Sequence, residues 1–182
     1  MEDLRYVVLL RGINVGGNNI IKMTDLKASF EKMGFQNVST YIQSGNVLFS
    51  SDSSDKEALS KKIEQALSHA FNYKSKVVLV SQKNLSKVVD EAPPGFGIEP
   101  DLFRYDVLFL KPPLTPENAV QKLTLREGVD KVWQGDGVLY FSRLIAKAGQ
   151  SYLNKLVSMS IYKEMTVRNW NTTSKLLELM DN

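Results

Sequence analysis

The chain of 182 residues contains no cysteine and a single histidine, His69. Disulfides and thiolate chemistry are therefore excluded. No acidic cluster offers an all-oxygen alternative, so no metal site is expected, and no cofactor motif appears. Long hydrophobic runs are also missing. The longest, such as Tyr6–Leu10 and Val77–Val80, are strand-sized and far too short to cross a bilayer. The first residues lack the basic, apolar and small-residue series of a signal peptide. The expectation is a cytoplasmic protein with no membrane association. Charge is nearly balanced, with 23 Lys and Arg against 20 Asp and Glu. That excess is too small to demand a polyanionic partner. Its distribution is uneven. Between Val138 and Leu177 stand Arg143, Lys147, Lys155, Lys163, Arg168 and Lys175, against one acid, Glu164. Such a run is ordinarily a solvated face, and the alternative is a phosphate-facing patch.

What is present is a pattern written twice. Tyr6–Arg11 reads as a strand, closed by Gly12. Thr24 is placed to cap a helix carrying Leu26, Phe30 and Met33, with Gly34 as its stop. Strands at 37–43 and 46–50 flank a turn at Ser44-Gly45. Ser54 or Asp55 caps a helix with Leu59, Ile63 and Leu67 on one face. A fourth strand, 76–80, and a short helix to about Glu91 complete the first set. Beyond the Pro/Gly-rich stretch 93–100 the order recurs. It runs through a strand at 105–110, a helix begun by Thr115-Pro116-Glu117, and a hairpin, 129–134 and 138–142, about Gly135-Asp136. A helix opened by Ser151, a strand at 164–168 and a last helix, 171–180, follow. The two hairpins even share wording: QSGNVLFS, Gln43–Ser50, against QGDGVLYFS, Gln134–Ser142. Strand, helix, strand, strand, helix, strand is the ferredoxin-like plan. The fold expected is α+β: two tandem ferredoxin-like βαββαβ units, each with an antiparallel sheet and an extra helix after its fourth strand. The units are drawn as 1–92 and 101–182, with 93–100 as the linker.

The stretch LLRGINVGGNN, Leu9–Asn19, raises the question of a phosphate loop. A Walker loop ends in Gly-Lys-Ser/Thr, whereas Gly16-Gly17 is followed by Asn18-Asn19. The dinucleotide fingerprint G-x-G-x-x-G is absent as well. Glycine pairs still form backbone concavities that receive anions, and an arginine pairs with one bidentately. The simpler alternative is a long turn that uses glycine and asparagine for positive φ. In the expected plan the first two strands are parallel, through a right-handed crossover. The end of the first strand then lies beside the turn between the second and third. Arg11, Gly12, Asn14, Gly16 and Gly17 should thus form one surface with Tyr41, Gln43, Ser44 and Asn46.

LLRGINVGG with Met23 and Leu26, then YIQSGNV, Tyr41–Val47, then TVRNWNT, Thr166–Thr172, with Lys175-Leu176, resembles a bacterial family called domain of unknown function 1697. The resemblance runs over essentially the whole chain. It implies duplicated ferredoxin-like units and implies no reaction. The chain departs from the family at Tyr152–Leu156, where relatives carry a Ser-Lys-Leu pattern.

The second polar cluster is RNWNTTSK, Arg168–Lys175. Asn171 or Thr172 suits a helix cap. Trp170 reads either as a packing wedge or as a stacking platform, with Arg168, Asn169, Asn171 and Lys175 as a polar rim. His69, near a helix end, has no visible catalytic partner, and Ser44 has no neighbouring histidine for a triad. RNA-binding versions of this plan stack bases on aromatics of the first and third strands. Only Phe109 and Tyr140 in the second unit match that placement in part. Three functions stay open: a binding module for an anionic, nucleotide-like small molecule or nucleic acid; an enzyme working through Arg11, Tyr41, Gln43 and Asn46 without histidine, cysteine or metal; and a purely structural or interaction role. Oligomeric state is not legible.

Overall fold

A computed structural model describes residues 4–182. It contains two four-stranded antiparallel sheets with helices interleaved, in the orders β2-β3-β1-β4 and β6-β7-β5-β8. Packing groups the residues up to Lys83 with Glu178–Asn182 in one compact unit, and Asn84–Leu177 in the other. Composition marks its break later, at 93–100.

In the first unit β1 (Leu4–Leu10) is the central strand, paired with β3 (Asn46–Ser51) and β4 (Val77–Ser81). The edge strand β2 (Gln36–Tyr41) pairs with β3. Helices α1 (Met23–Lys32) and α2 (Lys56–Phe71) supply Leu26, Phe30, Leu59, Ile63 and Leu67 to a core completed by Tyr6, Val8, Leu10 and Phe49. The i, i+4 spacing of Leu59, Ile63 and Leu67 puts them on one stripe of α2, which is why that helix lies on the sheet. Asp55 caps α2, accepting from the Ala58 N–H at 3.0 Å. The expected Thr24 cap is not used. α1 starts two residues earlier, behind Lys22, which makes no side-chain cap bond. Burial of Leu26 and Phe30 sets the helix start here, in place of a capping oxygen.

In the second unit β5 (Phe103–Leu110) is central, flanked by β7 (Val138–Leu144) and β8 (Met165–Asn169), with β6 (Asp130–Gln134) at the edge. Helix α3 (Gln82–Asp90) precedes it, and α4 (Pro116–Lys122) follows β5 with its expected Thr115 cap and first-turn proline. The helix expected at Ser151 is reduced to one turn, α5 (Leu153–Leu156), between 3₁₀ segments at 145–150 and 160–164. Gly149 and Ser151 interrupt the apolar spacing that carried α2, so only Leu156 of α5 is buried. The last helix, α6 (Trp170–Asp181), begins directly after β8. Its cap is Asn169, whose Oδ1 accepts from the Thr172 N–H at 2.7 Å, and not Asn171 or Thr172. The C-terminal carbonyl of Met180 accepts from Arg5 and from Gln82 within the first unit.

Gly45 shows how tightly the β2–β3 turn is built. Its φ is +81°, and a Cβ there would lie 2.7 Å from Ile13 Cδ1 and 2.9 Å from Leu10 Cβ. Gly12 has a similar φ of +71° but open space around the same position. Gly45→Ala is therefore expected to cost about 1–3 kcal/mol more than Gly12→Ala, because only the former adds overpacking to backbone strain. Thermal melts of the two variants check this, at roughly 2–4 °C per kcal/mol for a chain of this size.

Candidate functional site

The crossover argument places the opening loop correctly. Leu10 N–H donates to Gly45 O at 2.8 Å, and Asn14 Nδ2 donates to Gln43 O at 2.9 Å. Most of the polar side chains of this surface are committed to holding it together. Asn14 Nδ2 also reaches Ile21 O, and its Oδ1 accepts from the Ile21 N–H. Asn46 is fully buried and donates to Tyr41 O and Ser44 Oγ. Asn19 Nδ2 closes the loop on Gly12 O. Gly16 and Gly17 are exposed with positive φ, beside an exposed Val15 and Ile20. Tyr41 is the last residue of β2, half-buried, rather than mid-strand. Arg11 is half-buried and donates its backbone N–H to Lys76 O.

The RNWNTTSK cluster divides. Arg168 points to the buried face of the second sheet, where its Nη1 donates to Thr166 Oγ1 at 2.8 Å and Val167 O at 2.9 Å. Burial brings its pKa down to about 10. Lys175 is exposed on α6. Phe96, from the Pro/Gly segment, packs edge-on against Trp170 at 5.2 Å, and also against Tyr105 and Tyr140. A Cβ on Gly97 would meet Trp170 Nε1 at 2.4 Å, so only glycine passes the indole there. Phe109 and Tyr140 are each 1% exposed. Neither can stack a base, which removes the partial match to RNA-binding sheets. Burial raises the Tyr140 hydroxyl to about 12, and it donates to Val88 O.

Asn169, Trp170 and Asn171 line a cavity of about 340 Å³ where β8 ends, with Arg104, Asp106 and Arg143 on its other side. Sequence reasoning missed Arg104 and Asp106 entirely. A signal existed: Asp106 is a lone carboxylate within the strand FRYDVLFL, a position strands disfavour. Asp106 is only 9% exposed and its Oδ2 accepts no hydrogen bond. Arg143 Nη2 is 3.8 Å away, and its Nη1 donates to Asn154 Oδ1. Arg143 Nε and, on the facing strand, Asp130 Oδ1 are also buried without partners. Asp130 Oδ2, in contrast, accepts from the N–H groups of Arg126 and Tyr152. Two larger cavities, lined by Ser51, Asp52 and Lys62 and by Tyr152, Lys155 and Met159, border none of these orphaned atoms. Native proteins leave few buried polar atoms without a hydrogen-bond partner.

A family model described as a protein of unknown function, DUF1697, matches residues 4–140. The chain belongs to this family. The RNWNTTSK cluster lies beyond the matched stretch. Among solved structures, a conserved bacterial protein from Streptococcus pneumoniae, SP0830, is similar over 100% of both chains, with 25% identity and a TM-score of 0.86. Comparison with curated protein sequences gives no match. Among the described residues of this DUF1697 chain, no helix is long and apolar enough to cross a membrane.

Burial raises the Asp106 pKa above its ordinary value, an effect that Arg143 and Arg104 only partly offset. Between the unfolded and folded pKa values, the folded chain holds the extra proton. Asp106 therefore favours folding on the acid side, and that contribution is lost as pH rises through the folded pKa. Asp106→Asn is expected to melt higher than the parent at pH 7–8, with the gap closing towards pH 4. Melting curves across that range check the sign.

Proposed function

We propose that this protein is a cytoplasmic binding module for a small anionic ligand, and that the cavity beside Asn169, Trp170 and Asn171 is its site. The observation that supports this most is the convergence of Arg104, Arg143 and Asp106 with the Trp170 indole on one cavity. A guanidinium beside a low-dielectric wall is suited to carboxylate or phosphate, which it meets with directed hydrogen bonds. The volume is in the range of small-ligand pockets. Trp170, fixed between Phe96 and Gly97, gives a rigid apolar wall that needs little ordering on binding.

The rest of the basic run contributes less to this reading. Arg143 and Arg168 are drawn into the fold, whereas Lys147, Lys155, Lys163 and Lys175 lie at exposed positions. The opening loop, with Arg11, Gly16 and Gly17, is a second candidate surface.

Thermal shift tests the proposal. A ligand at one hundred times its dissociation constant adds about 2.7 kcal/mol of stability, or a rise of roughly 5–10 °C. A panel of carboxylates, sugar phosphates, nucleotides and oligonucleotides is expected to include a small anion that raises the melting temperature saturably. Arg104→Ala, at an exposed position, should abolish the shift and leave the fold intact. A shift that survives in Arg104→Ala but is lost in Arg11→Ala would move the site to the opening loop. No shift with any anion would end the proposal.

A further inference from the structure

We propose that the ligand of this cavity is a zwitterion of the amino-acid type, with its carboxylate on Arg104 and Arg143 and its ammonium on Asp106. The inference rests on the cavity being the anion site, and it names the ligand class.

The argument starts from what an anion alone would meet. Arg104 and Arg143 are cross-strand partners in the β5–β7 register. Asp106 is on the same face of β5, two residues on, by the alternation of a strand. The cavity thus presents two guanidinium groups and a carboxylate together. Asp106 Oδ2 is 3.8 Å from Arg143 Nη2, beyond hydrogen-bonding distance, and accepts nothing else. A ligand carrying only negative charge gains from the arginines and is repelled by Asp106. A ligand carrying only positive charge meets the reverse. A molecule with a carboxylate and an ammonium on neighbouring atoms satisfies both sides at once.

The remaining wall decides what the rest of the molecule is. Trp170 is half-buried and held edge-on by Phe96, so it offers a fixed apolar surface. An apolar or aromatic side chain fits against it better than a charged one. Asn171, exposed at the rim, adds a neutral donor and acceptor.

Isothermal titration calorimetry with four probes tests this: L-phenylalanine, N-acetyl-L-phenylalanine, L-phenylalanine amide and AMP. The first lacks nothing, the second has no ammonium, and the third has no carboxylate. L-Phenylalanine is expected to bind at least tenfold more tightly than either derivative. In Asp106→Asn its advantage over the N-acetyl form should shrink towards unity. In Arg104→Ala its advantage over the amide should shrink in the same way. Far-UV circular dichroism establishes that both variants are folded. Equal binding of L-phenylalanine and its N-acetyl form, or binding of AMP without L-phenylalanine, overturns the zwitterion and leaves the anion site standing. Absence of binding by all four probes overturns the zwitterion as well. The wider anion panel by thermal shift then decides the fate of the site itself.

Discussion

Each sheet is organised around a central strand that is apolar on both faces. Val7, Val8, Leu9 and Leu10 in β1, and Val107, Leu108, Phe109 and Leu110 in β5, are all 5% exposed or less. A strand of that kind has to be flanked by a neighbour on each edge and shielded on each face. An antiparallel sheet with one bare face would leave half of these side chains in water. The orders β2-β3-β1-β4 and β6-β7-β5-β8 meet the first requirement by putting the first strand of each unit in the middle. The first and last strands in sequence become neighbours, and the hairpin occupies the other side.

That arrangement fixes where polar groups can gather. Polar residues are costly along the middle of β1 and β5, and collect at the ends, where the strands emerge. At the C-terminal end of β1 the result is a turn that spends its amides on itself. Asn14 and Asn46 between them tie together the loop 12–21 and the turn 41–45. At the N-terminal end of β5 the result is different. Asp106 and Arg143 form a long ion pair at 3.8 Å, and three buried polar atoms of this neighbourhood have no hydrogen-bond partner. Each such atom costs about 1–3 kcal/mol.

The glycines and aromatics around the RNWN segment serve that end of β5. Gly97 admits the Trp170 indole where any side chain would collide with it. Phe96 then fixes the ring by edge contacts that also reach Tyr105 and Tyr140. A segment that composition reads as a spacer is thus part of the wall. Asn169 ends β8 and caps α6 with the same side chain. The backbone turns away there and leaves β5 open to the cavity.

By itself the sequence determined the elements and their order. Alternating and helical spacings, the Thr115 cap, a cap at Ser54 or Asp55, and the repeated hairpin wording are local, and local chemistry suffices to read them. It also determined that the opening loop would meet the 43–46 turn, because handedness allows only one crossover. It could not tell which polar side chains the fold spends on its own hydrogen bonds. LLRGINVGG looked more like a site than FRYDVLFL, since glycine and asparagine advertise a turn and one aspartate in a strand advertises little. Only the tertiary structure shows which side chains of each stretch are committed to the fold. Whether Asp106 is paired depends on how far Arg143 reaches from another strand, and whether Arg168 is available depends on which face of the sheet is covered. Those are distances between residues far apart in the chain, set by packing, and no local pattern encodes them.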